Sequence, residues 1–199
     1  MEIRSYDGKA IRLTTTDGEV FEGRAEHCHA EYGLHVFNRE EESIRLGEYH
    51  LFKSEIRSIE PIGEDELCGF YGAERVAPEI RQLYRDLKQL WCLETCAPRL
   101  RSEWSADNPS LGQCSITAFL VQDLFGGRVL GVPFPGGGFH CFNELGDHRF
   151  DLTSEQFGED ADLDYERCPE QRRETHFADG DKYARYLLLK KRLGQYRAR

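Results

Sequence analysis

The spacing of apolar residues changes period once along this chain, and the change divides it into two parts. From Ile11 to Ile62 the period is two: Ile11, Leu13 and Thr15 alternate with Arg12, Thr14 and Thr16. Alternation of this kind puts every second side chain on one face, as a half-buried strand requires. Asp17-Gly18 follows, a dipeptide that tolerates the positive φ of a tight hairpin turn. Further short strands are expected at Val20-Phe21, Leu34–Phe37, Ile44–Leu46, Tyr49–Phe52 and Ile56–Ile59. So many short strands in about fifty residues must curl into a small barrel to hide their edges. Pro61 to Gly72, with glycines at 63, 69 and 72, carries the composition of a linker.

Beyond the linker the period becomes helical. Ile80, Leu83, Tyr84, Leu87, Leu90 and Trp91 recur at three and four, which predicts an amphipathic helix over 78–95. A second helix is expected from Cys114 to Phe125, stopped by Gly126-Gly127. Two strands follow, near Phe139–Leu145 and His148–Leu152, joined by Gly146-Asp147. A last helix is expected over 181–196. The expected organisation is therefore an all-β barrel over 1–63, a linker over 64–75 and an α+β domain over 76–199, within the reach of a chain of 199 residues.

Charge narrows the partners. The formal net charge is −10, and residues 1–63 hold 8 Lys or Arg against 13 Asp or Glu. Phosphate contacts need clustered cations, so nucleic acid is an unfavoured partner. The basic stretch is the tail from His176 to Arg199, with seven Lys or Arg against two Asp. No run of apolar residues approaches the ~18 of a spanning helix, so no membrane partner is expected. The start shows no basic head followed by an apolar segment, so the cytoplasm is the expected compartment. The seven cysteines are then expected as thiols. Cys92 and Cys96 have no second matched pair, so neither metal nor cofactor is expected.

One of those thiols falls where chemistry is favoured. In Leu111-Gly112-Gln113-Cys114-Ser115-Ile116 the turn residues end and an apolar helix begins at the cysteine. A thiol in the first helical turn faces unpaired N–H groups and the positive end of the macrodipole, both of which favour thiolate. The same amides, with the Gln113 side chain beside them, would suit an oxyanion. A base and an orienting group are needed next. With Gly146-Asp147 as a two-residue turn, Phe142 opposes Asp151, and His140 shares their face. His140 and Asp151 then become diagonal neighbours. Asn143 is the alternative third member, although parity turns it from His140, while Cys141 alternates into the core. Gly136-Gly137-Gly138 supplies a loop that brings backbone close to a ligand or moves over a site.

These residues carry a family resemblance. Gly112-Gln113-Cys114, His140 to Leu145 and Phe150-Asp151-Leu152-Thr153 resemble the YunG-like proteins over roughly residues 76–196, with Trp91, Trp104 and Asn108-Pro109 also matching. The Cys–His–Asp order is similar to that of transglutaminase-like and papain-like thiol enzymes. The resemblance implies Cys114 as nucleophile, His140 as base and Asp151 as its orienter. Gln113 adjoins the cysteine directly, a departure from the papain pattern. Asp17-Gly18, Phe21 and Gly23 resemble an Sm-like barrel. Its RNA-reading residues do not carry over: Glu31-Tyr32-Gly33-Leu34 lacks the Asn, and Lys53-Ser54-Glu55 stands where Arg-Gly belongs. A ring-forming, scaffolding or partner-binding module is implied.

Together these observations predict a cysteine hydrolase or acyltransferase acting on an amide, thioester or peptide-like bond. The alternatives are a non-catalytic interaction protein that recruits partners through its barrel, and an RNA-binding regulator.

Overall fold

The computed structural model describes residues 2–134, 137–158 and 163–199. The chain forms two compact units, one of residues 1–69 and 73–77, the other of 70–72 and 78–199.

In the first unit β1 (Ala10–Thr15) pairs antiparallel with β2 (Val20–Arg24) and with β6 (Ile56–Pro61). A second sheet holds β3 (Glu26–Cys28), β4 (Ser43–Leu46) and β5 (Tyr49–Phe52) in that order. Only Ala25 separates β2 from β3, so one bent strand serves both sheets. Alternation then delivers Ile11, Leu13 and Phe21 from one sheet and Ile44, Leu46 and Leu51 from the other into a single core. Among the described residues no ladder joins β5 to β6, so the expected barrel is left open.

Leu34–Phe37 corrects the reading of the sequence. It lies in a helix, α1 (Ala30–Phe37), with Leu34, Val36 and Phe37 43–52% exposed. Four residues of alternation are too few to exclude a helix. Asn38 ends α1 in the left-handed region at φ 53°, with its N–H turned back to the carbonyls of Gly33 and Leu34.

The expected linker is built into both units. Phe70–Gly72 belongs to the second, where the Asp151 N–H donates to the Tyr71 carbonyl at 3.0 Å. Gly72 has φ +75°, and a Cβ there would lie 2.3 Å from the Arg149 carbonyl oxygen, so only glycine fits this approach. Ala73–Ala77 returns to the first unit, where the Glu74 carbonyl accepts from the Glu22 N–H.

The second unit opens with α2 (Pro78–Leu90), which buries Ile80, Leu83, Tyr84 and Leu87 on one stripe. It stops before the expected Thr95 because the Thr95 hydroxyl accepts from the Cys92 N–H at 3.0 Å, and so competes with the helical ladder. Helix α3 (Cys114–Phe125) packs against a meander of β7 (Arg128–Pro133), β8 (Phe139–Leu145) and β9 (His148–Phe150). Strand β7 was not expected: Gly131 interrupts its apolar run, and it starts directly after the glycines that end α3. The β8–β9 register pairs Leu145 with His148, as the two-residue turn requires. After a short helix, α4 (Arg173–Phe177), helix α5 (Gly180–Arg197) lays Tyr186, Leu189 and Leu193 against α2 and α3. Asp179 caps α5 by accepting from the amides of Asp181 and Lys182.

Candidate active site

The site begins at the N-terminal end of α3. Gly112, at φ +71°, turns the chain so closely past Cys96 that a Cβ would meet its sulfur at 2.8 Å. That turn sets Cys114 as the first helical residue. The amides of Cys114 and Ser115 precede the first bond of the helix, from the Thr117 N–H to the Gln113 carbonyl. The sulfur is half-buried and lines a cleft of about 750 Å³.

Strand β8 brings His140 to the same cleft, with its ring buried. His140 Nε2 and Asp151 Oδ2 are 2.5 Å apart, and both side chains are withdrawn from solvent. Phe157 meets the imidazole edge-on with centroids 4.7 Å apart, which restricts its rotation. The second ring nitrogen, Nδ1, is buried and makes no hydrogen bond of ordinary geometry within the protein. With Nε2 committed to Asp151, Nδ1 is the ring nitrogen left for proton transfer, and Cys114 is among the groups that raise the imidazole's pKa.

Asp151 is held on both oxygens. Oδ1 accepts from the Thr153 amide and hydroxyl at 2.9 Å each, an Asx turn formed two residues along the chain. Oδ2 accepts from the Tyr165 hydroxyl at 2.9 Å, and Tyr165 in turn stacks on Tyr71 at 3.9 Å. A carboxylate so fixed presents one direction to the imidazole.

The electrostatics follow from this packing. Burial opposes ionisation of Cys114, yet the hydrogen bond and charge of His140, with the Cys141 amide, outweigh it and bring the thiol down to about 7. Burial also disfavours the His140 cation, but the Asp151 carboxylate overrides it and raises the imidazole to about 10. Each group thus favours the charged form of the other. Cys141, beside them in sequence, points away into the core, and burial pushes its thiol far up. Burial and the neighbouring Asp151 charge likewise keep Tyr165 protonated.

The other residues singled out in the sequence lie elsewhere. The Gln113 amide nitrogen donates to the Cys92 carbonyl at 3.1 Å, and its oxygen is buried without a partner. That side chain is spent on the junction after α2. Asn143 donates to the Ala118 carbonyl at 2.9 Å, tying β8 to α3 on the side away from His140. Gly137 and Gly138 line the cleft, whereas Pro135 and Gly136 lie outside the described residues. None of the seven cysteines is in a disulfide. Among the described residues no group of His, Cys, Asp and Glu is placed to hold a metal ion, and no helix is long and apolar enough to cross a membrane.

Sequence reasoning missed Tyr165 and the role of Thr153. The Asp-x-Thr spacing of an Asx turn was a usable signal for Thr153. Tyr165 carried none, since it sits in irregular chain fourteen residues from its partner.

Comparison with known proteins agrees with the extent of this unit. A family model described as YunG protein matches residues 79–198, which span Cys114, His140, Asp151 and Tyr165. A relative from Bacillus subtilis (strain 168), named "Uncharacterized protein YunG", is 32% identical over 101 residues, covering 51% of this chain and 81% of the relative. No solved structure matches. With more than half of its length matched and the relative spanned over most of its own, the chain belongs to the YunG protein family.

Proposed function

We propose that the second unit is a cysteine-dependent acyl-transfer enzyme, a hydrolase or transferase of amide, thioester or peptide-like bonds. The observation that carries this reading is the buried 2.5 Å contact between His140 and Asp151 at a cleft that Cys114 also lines.

In this reading the Cys114 thiolate attacks the carbonyl carbon, and the carbonyl π electrons move onto oxygen. The first-turn amides of α3 receive that oxyanion, aided by the positive end of the helix. When the oxyanion collapses, the bond to the leaving nitrogen or sulfur breaks, and the His140 imidazolium supplies its proton. A thioester on Cys114 remains. Water or an amine then attacks it, with neutral His140 accepting the nucleophile's proton and Cys114 departing as thiolate. Asp151 keeps the ring oriented and stabilises its charged form throughout. The cleft gives the acyl group room and partial shelter from water.

The order of strands in the first unit, β6-β1-β2/β3-β4-β5 with one bent strand shared between sheets, supports an Sm-like origin for that unit. Its excess of acidic residues favours a protein over RNA as its partner.

Alkylation by iodoacetamide at pH 7, followed by peptide mass mapping, tests the enzyme reading. Cys114 is expected to be modified well ahead of the other six thiols, and Cys114→Ser to remove the fast phase. Labelling of Cys114 at the rate of an ordinary exposed thiol would overturn it.

A further inference from the structure

The cleft beside Cys114 has a charge opposite to that of the protein. The chain carries a formal −10, yet among the described residues the cleft is lined by Arg99, Lys182 and Arg185 and by no Asp or Glu. These three cations differ in how they are held. Arg185 is buried and already engaged, with Nε on Asp181 at 2.7 Å and Nη1 on the Thr95 carbonyl at 3.1 Å. Arg99 is exposed at the rim, on the turn Pro98–Leu100.

Lys182, half-buried on the first turn of α5, is held differently. Its ammonium lies 3.3 Å from Nδ1 of His176, whose Nε2 is 3.1 Å from Gln171 Oε1. Burial, with the Lys182 charge, keeps that imidazole neutral at pH 7. No carboxylate lies within ion-pair distance of Lys182 or Arg99 among the described residues. A partly buried ammonium facing a cleft with only a neutral partner is a charge awaiting an anion, because the low dielectric of the walls strengthens the attraction. The lining also holds Phe134, Phe139 and Phe157, of which Phe134 and Phe157 pack near His140.

Resting on the acyl-transfer reading above, we infer that the substrate is a carboxylate-bearing acyl compound whose anion is received by Lys182, with the Arg99 and Arg185 charges behind it and its apolar body against these phenylalanines. Lys182 is then a specificity-determining residue. It takes no part in proton transfer, which His140 and Cys114 complete between themselves.

Two alkylating reagents of nearly the same shape test this. Iodoacetate carries the carboxylate and iodoacetamide its neutral counterpart. With each, the thiolate sulfur attacks the methylene carbon, a C–S bond forms and iodide leaves. The quantity read is the ratio of the iodoacetate rate to the iodoacetamide rate at Cys114, divided by the same ratio for free cysteine. The ratio is expected to exceed that of free cysteine about tenfold at low salt. Lys182→Gln should lose most of this preference, Lys182→Arg should retain it, and added salt should reduce it in the wild type. A ratio equal to that of free cysteine, or one unchanged by Lys182→Gln, would overturn the anion site. Fast iodoacetamide labelling with no anion preference would remove this inference alone, whereas a Cys114 slow towards both reagents contradicts the thiol-enzyme reading beneath it.

Discussion

Nε2 of His140 and Oδ2 of Asp151 lie 2.5 Å apart across eleven residues of chain, at the start and just beyond the end of one hairpin. The pairing is a consequence of strand geometry. The turn at Gly146-Asp147 fixes Leu145 opposite His148, and counting outward from it brings residues 140 and 151 onto one face as diagonal neighbours. A slip of one residue would turn them to opposite faces. The burial of both groups then makes the interaction count, because no water screens the carboxylate from the imidazole.

The pH dependence of the site follows from the two shifted groups. Below about 7 the Cys114 thiol holds its proton, and above about 10 the His140 imidazolium loses its own. Acyl transfer with an acidic step from His140 is expected to be bell-shaped, rising through the first value and falling through the second. Alkylation needs only thiolate, so it should rise near pH 7 and then stay level. His140→Ala should move that rise above the ordinary thiol value of about 8.5, because burial and the Asp151 charge then act on the thiol without the imidazolium to offset them.

Asp151→Asn retains shape and removes charge. The imidazolium loses its counter-ion and its pKa falls. Acyl-transfer turnover is expected to fall by roughly 10²–10⁴-fold, in the range of general acid–base contributions. A rate within a few-fold of wild type would assign the orienting role elsewhere.

Tyr165→Phe removes one donor from Asp151 Oδ2 and leaves the ring stacked on Tyr71. A hydrogen bond to a charged group contributes about 1.5–3 kcal/mol. Turnover should drop by about tenfold or more, and the alkaline limb of the pH–rate profile should shift, which a purely structural role would not produce.

Asn143→Ala separates the fold from the chemistry. It leaves the buried Ala118 carbonyl without its side-chain donor and opens a small void, at a cost of about 1–3 kcal/mol. Denaturant unfolding should show that loss, while the rate of Cys114 alkylation at pH 7 stays unchanged.

Much of this site was legible because it is local or periodic. The start of α3 at Cys114 is marked by the change from turn residues to an apolar run, and the face shared by His140 and Asp151 follows from a dipeptide turn and parity. What the sequence concealed is set by distant packing. Nothing near Tyr165 announces a partner fourteen residues away, and nothing in Gln113 shows that its amide is spent on the Cys92 carbonyl. Leu34–Phe37 alternates like a strand yet folds as the last turn of α1, because four residues satisfy both periods. Composition marks residues 64–75 as a linker, whereas the two units absorb them, and the return of Phe70–Gly72 to the second unit depends on the close approach that Gly72 allows.

The covalent intermediate is the most direct test. Incubation with p-nitrophenyl acetate, quenched in acid and read by intact mass and peptide mapping, should show a single acetyl group on Cys114 within the time other thiols remain free. Cys114→Ser should abolish the adduct, and Asp151→Asn should slow it. Acetylation of Cys114 no faster than that of the remaining cysteines, with both variants behaving like wild type, would contradict the account.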